Sequence, residues 1–302
     1  MTGALLYGAP APGLVEVPPG ALQLSPLIPG SSDIAALPDA SADAAVILAP
    51  PGTLERDFVL AHALRALKPG APITAFAPKD KGGSRLKKTL QSFGCEVGEA
   101  ARRHHRFCSA VRPAAPRDLA QAIAAGAPRI MPSLGLWSQP GVFSWDRPDP
   151  GSVRLLEALP ALVGRGADLG CGVGLLAQSI LASPKVTALA CVDVDRRATD
   201  CARHNLDDPR AAVVWADLRR PLEGLADLDF VVMNPPFHDG GAEDRALGVG
   251  FIEAAARMLA RRGVCWLVAN RHLPYEAALA GAFAAVTLRA EGGGYKIFEA
   301  SK

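Results

Sequence analysis

The run VTALACVDVD (186–195) is apolar at consecutive rather than alternate positions. A strand covered on one face alternates polar and apolar side chains. This one is expected to be buried on both faces, as in a parallel sheet between helical layers. Its surroundings continue the pattern. GADLG (166–170) ends a short strand, and Gly174 to Leu181 reads as a helix. RRATDCARHNL (196–206) is helical, whereas AAVVWAD (211–217) and LDFVVMN (228–234) are strands. Phe251, Ile252, Ala255, Met258 and Leu259 then recur at helical spacing, before the strand GVCWLVA (263–269). The alternation predicts a doubly wound α/β domain.

A chain of 302 residues, 49% hydrophobic, has room for two such domains. Residues 113–150, punctuated by proline and glycine, are read as a linker, with a short helix near Asp118–Ala125. Domains are therefore expected over 1–112 and 151–302. The first contains an echo of the second: AAVILAPPG (44–52) aligns with FVVMNPPF (230–237). ALKPGAPITAFAPK (66–79) likewise aligns with LARRGVCWLVANR (259–271). A duplicated fold accounts for this, and two unrelated α/β domains sharing a Pro-Pro pair are the alternative. Ala49 stands where Asn234 stands and no Gly-rich loop precedes it, so the first copy is expected to have lost its site.

Composition narrows the function classes. A net charge of +2 excludes wholesale electrostatic attraction to nucleic acid, so any phosphate-reading surface must be local. The six cysteines make no C-x-x-C pair, which points to free thiols, no zinc site and a reducing cytoplasm. The N-terminus lacks a basic, apolar leader, and no run of about 18 apolar residues predicts a membrane helix. A monomer is the default expectation.

ADLGCGVGLLA (167–177) sets Gly170, Gly172 and Gly174 between a strand and a helix, where a backbone without Cβ atoms can approach a ligand. A dinucleotide fingerprint would need a glycine at Leu175. The pattern is instead acid-x-G-x-G-x-G, led by Asp168, which suits a ligand with a cationic, amino-acid-like end. Asp193, ending the next strand, is placed to accept ribose hydroxyls, with Asp195 as its rival. Asp217, one strand further, is placed to accept an adenine amine.

With these residues the chain resembles S-adenosylmethionine-dependent methyltransferases of the class I Rossmann-like fold. PGVFSWDRPDPGS, ADLGCGVG, NPPFHDGG and VANRHLPY together resemble the bacterial ribosomal RNA guanine-N2 methyltransferases, the small-subunit methyltransferase C type and its large-subunit relative G. The resemblance implies a catalytic domain over 151–302 and a degenerate methyltransferase-like domain before it. It also implies S-adenosylmethionine as cofactor and ribosomal RNA, alone or within a subunit, as partner. Phe143 would lie on a loop covering the cofactor.

Asn234-Pro235-Pro236-Phe237 then has a chemical reading. The exocyclic amine of a base is planar and a poor nucleophile, because its lone pair is conjugated into the ring. Acceptors on both amine hydrogens turn the lone pair outward, and the Asn234 side-chain oxygen and the Pro235 carbonyl supply two in fixed directions. Phe237 offers a stacking face for an extruded base. His238 is read as structural, and Asp239, Gly240 and Gly241 as loop-shaping. Lys79, Lys81, Arg85, Lys87 and Lys88, with Arg102 and Arg103, form clusters that suit phosphate contacts or a merely solvated face. Arg271 and His272 follow the WLVA strand and are expected to face the substrate. Methylation of a protein glutamine or adenine N6, and a non-catalytic assembly factor retaining the fold, are the competing readings.

Overall fold

In a computed structural model, residues 2–236 and 242–302 are described. They form two units, Met1–Pro128 with Gln139–Gly141, and Arg129–Ser138 with Val142–Lys302.

The first unit runs β1 (Thr2–Tyr7), β2 (Leu22–Gln23), β3 (Ala42–Leu48), α1 (Thr53–Ala66), β4 (Pro72–Pro78), α2 (Leu86–Ser92), β5 (Val97–Arg102), β6 (His105–Val111) and α3 (Leu119–Gly126). Its six-stranded sheet has the order β2-β1-β3-β4-β6-β5, with β6 antiparallel to both neighbours. Leu5, Ile47, Leu60, Leu64 and Ile73 anchor one core. Helix α3 packs on α1 so closely that a Cβ on Gly126 would lie 2.4 Å from the Cβ of Phe58.

The second unit opens with a hairpin, β7 (Arg129–Met131) and β8 (Leu136–Ser138), then continues α4 (Pro150–Ala158), β9 (Gly164–Leu169), α5 (Leu175–Leu181), β10 (Val186–Asp193), α6 (Arg196–Asn205) and β11 (Ala211–Trp215). It closes with β12 (Leu228–Met233), α7 (Ala242–Met258), β13 (Leu259–Asn270), α8 (Glu276–Ala282), β14 (Ala285–Gly292) and β15 (Tyr295–Ser301). The seven strands are ordered β11-β10-β9-β12-β13-β15-β14, parallel from β11 to β13 and antiparallel thereafter.

The expected burial on both faces is found. On β10, Ala190 and Val192 enter one core while Leu189 and Cys191 enter the other. On β12, Val231 and Met233 face the core beneath α7 and α8, and Phe230 and Val232 face the opposite core with α4 and α5. Each fully buried side chain of this size contributes roughly 1.5–3 kcal/mol.

The two sheets share one plan: apart from the missing outer strand, the first repeats the order of the second, with β1 in the place of β9 and β3 in that of β12. Ala49-Pro50-Pro51 leaves β3 as Asn234-Pro235-Pro236 leaves β12. Gln23 ends β2, its Oε1 accepting from Leu24 N and Ser25 N, and its Nε2 donating to Gly8 O at 3.0 Å. Buried Ala49 stands directly after β3, where the second copy has Asn234 after β12.

The stretch 113–150, read as a linker, is divided between the units and contributes α3 and the β7–β8 hairpin.

Candidate active site

The carboxyl ends of four parallel strands bring the expected residues together in the second unit. After β9 the chain is held against β10, since Gly170 N and Cys171 N both donate to Val192 O (2.8 and 3.1 Å). Gly170, Gly172 and Gly174 have φ of 75°, 54° and 90°, a region where a Cβ is strained. At Gly172 a Cβ would meet nothing within 4 Å, so the loop presents open space there, while Gly174 begins α5. The register pairs Leu169 with Met233, which sets the glycine loop beside the Asn-Pro-Pro turn.

Asp168 is fully buried, and neither of its oxygens is hydrogen-bonded among the described residues. Burial, with the nearby charge of Asp193, pushes its carboxyl up to about 7, and the pull of the Ala177 backbone N–H, short of hydrogen-bond geometry, only partly opposes this. Asp193 ends β10, its Oδ2 accepting Gly172 N and its Oδ1 accepting Asp195 N, each at 2.8 Å. Burial lifts it to about 6 despite these bonds. Asp195 is otherwise engaged: it caps α6 and binds Arg197 through both oxygens.

Asp217 follows β11, as expected, but Arg219 wraps it through its backbone N–H, Nε and Nη2. Those bonds hold its carboxyl below the usual range. Phe143 is 51% exposed beside Val142, which is buried with Val173 of the glycine loop.

Asn234 follows β12. Its Nδ2 donates to Asp149 Oδ2 and to Ser152 Oγ, both at 2.8 Å, and its Oδ1 is buried and unpartnered among the described residues. The Asp149 carboxylate, which can only accept, fixes which end of the amide is nitrogen. Pro235 is buried beside it. Phe237, His238, Asp239, Gly240 and Gly241 lie outside the described residues.

Sequence reasoning missed three residues. Asp149 and Ser152 belong to a helix start, an N-cap acid followed by proline at the first helical position, a signal legible in DPGS. Asn205 gave no local signal: it accepts from Trp137 N (2.8 Å) and donates to Trp137 O (2.9 Å) and Val173 O (2.8 Å), tying the hairpin to the glycine loop.

In the first unit, Lys79 N donates to His104 O (3.0 Å), which brings the segment after β4 against the β5–β6 turn. Lys79, Lys81, Arg85, Lys88, Arg102 and Arg103 are exposed there, whereas Lys87 lies 3.9 Å from Glu99. Arg271, in the second unit, is paired with Glu291 at 2.8 Å. A groove of about 800 Å³ contains none of the site residues: it is lined by Asp229 and Phe230 at the start of β12, the end opposite Asn234. Among the described residues no group of three His, Cys, Asp or Glu side chains is placed to hold a metal ion, and no helix is long and apolar enough to cross a membrane.

A glycine loop led by a buried acid, acids after the next two strands, an Asn-Pro-Pro turn and an antiparallel edge hairpin define a class I methyltransferase fold. Residues 133–299 match the methyltransferase small domain family. The ribosomal RNA small subunit methyltransferase C of Shewanella loihica is 31% identical over 265 residues, covering 85% of this chain and 76% of that protein. That of Shewanella piezotolerans is 40% identical over 164 residues, where the alignment covers 52% of this chain and only 46% of the relative. In that alignment, as in the one with the Shewanella sp. strain MR-4 protein, the chain spans about half the relative's length. The solved structure of the T. thermophilus 16S rRNA N2 G1207 methyltransferase, in complex with AdoMet and guanosine, superposes with a TM-score of 0.76. It is 27% identical, over 90% of this chain and 76% of that one. The chain belongs to the methyltransferase small domain family and, within it, to the ribosomal RNA small subunit methyltransferase C group.

Proposed function

We propose that the chain transfers a methyl group from S-adenosylmethionine to the exocyclic N2 amine of a guanine in small-subunit ribosomal RNA, in the cytoplasm. The observation that carries this reading is the Asn234 amide: both its hydrogens are engaged by protein acceptors, and its oxygen is buried without a partner. A buried carbonyl oxygen left unpaired costs about 1–3 kcal/mol, which an amine donor bound there would recover. The Thermus neighbour, solved with AdoMet and guanosine, supports the choice of ligands.

The residues present fit the cofactor. The orphaned carboxylate of Asp168 suits the ammonium of an amino-acid tail, and Asp193 retains lone pairs for ribose hydroxyls. Gly170, Gly172 and Gly174 admit the ligand against the backbone, Phe143 covers it, and Asp217 accepts the adenine amine if Arg219 yields. When bound, S-adenosylmethionine supplies an electrophilic methyl on a sulfonium. Asn234 Oδ1 and the Pro235 carbonyl hold the two amine hydrogens and turn the nitrogen lone pair toward that methyl. Alignment for in-line displacement is the main contribution, and the product ammonium sheds its proton to water without a dedicated base.

The first unit, having lost its own site, docks RNA through Lys79, Lys81, Arg85, Lys87, Lys88, Arg102 and Arg103, and supports folding. Arg271 adds a contact from the catalytic unit, and the enzyme acts as a monomer on ribosomal RNA, alone or within a subunit.

Labelled S-adenosylmethionine, offered with unmodified subunits and with their naked RNA, tests the reading. N2-methylguanosine from wild type, absent with Asn234→Ala, is expected. Label on adenine or protein would transfer the clamp to another substrate, and no label despite bound cofactor would leave an assembly factor.

A further inference from the structure

We propose that Asp149 is a positioning residue for the reaction, its carboxylate deciding which end of the Asn234 amide faces the substrate. The inference rests on the methyl-transfer reading above. The two ends of an asparagine amide are nearly the same size but opposite in function. Only the oxygen end can accept from an amine, and a flipped Asn234 would oppose that amine with two more donors.

Of the two groups that hold Nδ2, one cannot choose between the ends. The Ser152 hydroxyl donates as readily as it accepts, so it would serve a flipped amide equally well. The Asp149 carboxylate only accepts. A flip would set the Asn234 oxygen 2.8 Å from the carboxylate oxygen, replacing a charge-assisted bond with lone-pair repulsion. Asp149 and Ser152 are buried, at 8% and 7% exposure, so water is poorly placed to compensate.

The same oxygen has a second task. Asp149 Oδ2 accepts Ser152 N at 2.8 Å as the N-cap of α4, so the first turn of that helix and the amide of Asn234 share one acceptor. The surroundings are cut to fit it: a Cβ on Gly151 would lie 3.0 Å from Oδ2 and 2.9 Å from Tyr295 Cε1. Capping alone does not require this arrangement, since serine caps a helix as well as aspartate does. Serine, however, is too short to reach Asn234 from position 149. The fold of the segment leading into α4 is thereby coupled to the orientation of the clamp 85 residues away.

Asp149→Ser separates the two tasks. The full chain is compared with wild type in thermal unfolding, S-adenosylhomocysteine affinity, and kcat and KM with RNA. Folding, cofactor affinity and KM should stay within about twofold of wild type, while kcat falls roughly 10- to 100-fold, the loss of one charge-assisted bond. Asp149→Asn, which keeps an acceptor for both donors, should recover the greater part. Wild-type kcat in Asp149→Ser overturns the proposal, as does a loss of cofactor affinity and KM in step with kcat. If Asp149→Ser does not fold, the wild-type protein supplies the test. The two Nδ2 hydrogens of Asn234, identified by NMR through their absence in Asn234→Ala, should exchange slowly with water. Fast exchange overturns the proposal whether or not the chain methylates RNA. A wild type with protected hydrogens and no methylation would instead bring down the methyl-transfer reading.

Discussion

Asp193 Oδ2 accepts the backbone N–H of Gly172 at 2.8 Å, joining the end of β10 to the loop after β9. The proposed ribose acid is therefore also the clasp of the glycine loop, and its other oxygen is held by Asp195 N. Asp193→Asn cannot satisfy both donors, because one of its ends is itself a donor. Calorimetry with S-adenosylhomocysteine should show affinity reduced roughly 10- to 100-fold. Affinity within threefold of wild type would rule out the double role.

Asp168 and Asp193 also make cofactor binding depend on pH. Burial raises both carboxyls, to about 7 and about 6. Between their unfolded range near pH 4 and these values, the unliganded folded state binds more protons than the unfolded chain. Its stability accordingly falls as pH rises through this window. Binding a cationic tail has the opposite sign, since it needs ionised carboxylates. Affinity for S-adenosylhomocysteine should therefore rise from pH 5.5 through about 7 and level off above about pH 8. Asp168→Asn should bind weakly at every pH, and its unliganded form should melt at a higher temperature than wild type at pH 8. A flat affinity profile in wild type would show that neither carboxyl titrates with binding.

The parallel strands and the glycine loop were legible because each announces itself within a few residues. The run through Val192 is apolar on both sides because both sides are buried, and the loop glycines are demanded by positive φ. The edge was not legible: β14 is exposed along nearly its whole length, so no alternation marks it. The clamp was half legible. Asn234 stands out against its prolines, whereas its partners Asp149 and Ser152 lie 85 and 82 residues away and meet it only through tertiary packing. Asp217 shows the reverse limit. Its place after β11 was readable, but the Arg219 side chain folded back onto it was not.

The basic residues of the first unit should act through phosphate charge. Lys79, Lys81 and Arg103 are exposed where the segment after β4 meets the β5–β6 turn. If each neutralises one phosphate, the triple alanine variant should flatten the slope of log affinity against log salt by about 2–3. Cofactor affinity should not change. An unchanged salt slope would return the cluster to an ordinary solvated face.

Gly166 tests the register that places the site. It sits in β9 opposite Phe230 of β12, and a Cβ there would lie 2.1 Å from the ring. Phe230 is 2% exposed and packed against the opposite core, so it has little room to retreat. Gly166→Ala should cost about 1–3 kcal/mol through overpacking, lowering the melting temperature of this unit by several degrees. The shift should be accompanied by weaker cofactor binding, because Asp168 lies two residues further along the displaced strand. Phe230→Leu in the same background removes the clash at the price of a smaller core, and should restore part of both losses. A Gly166→Ala protein that melts with wild type would mean that β9 and β12 are not paired in this register, and the adjacency of the glycine loop and Asn234 would fall with it.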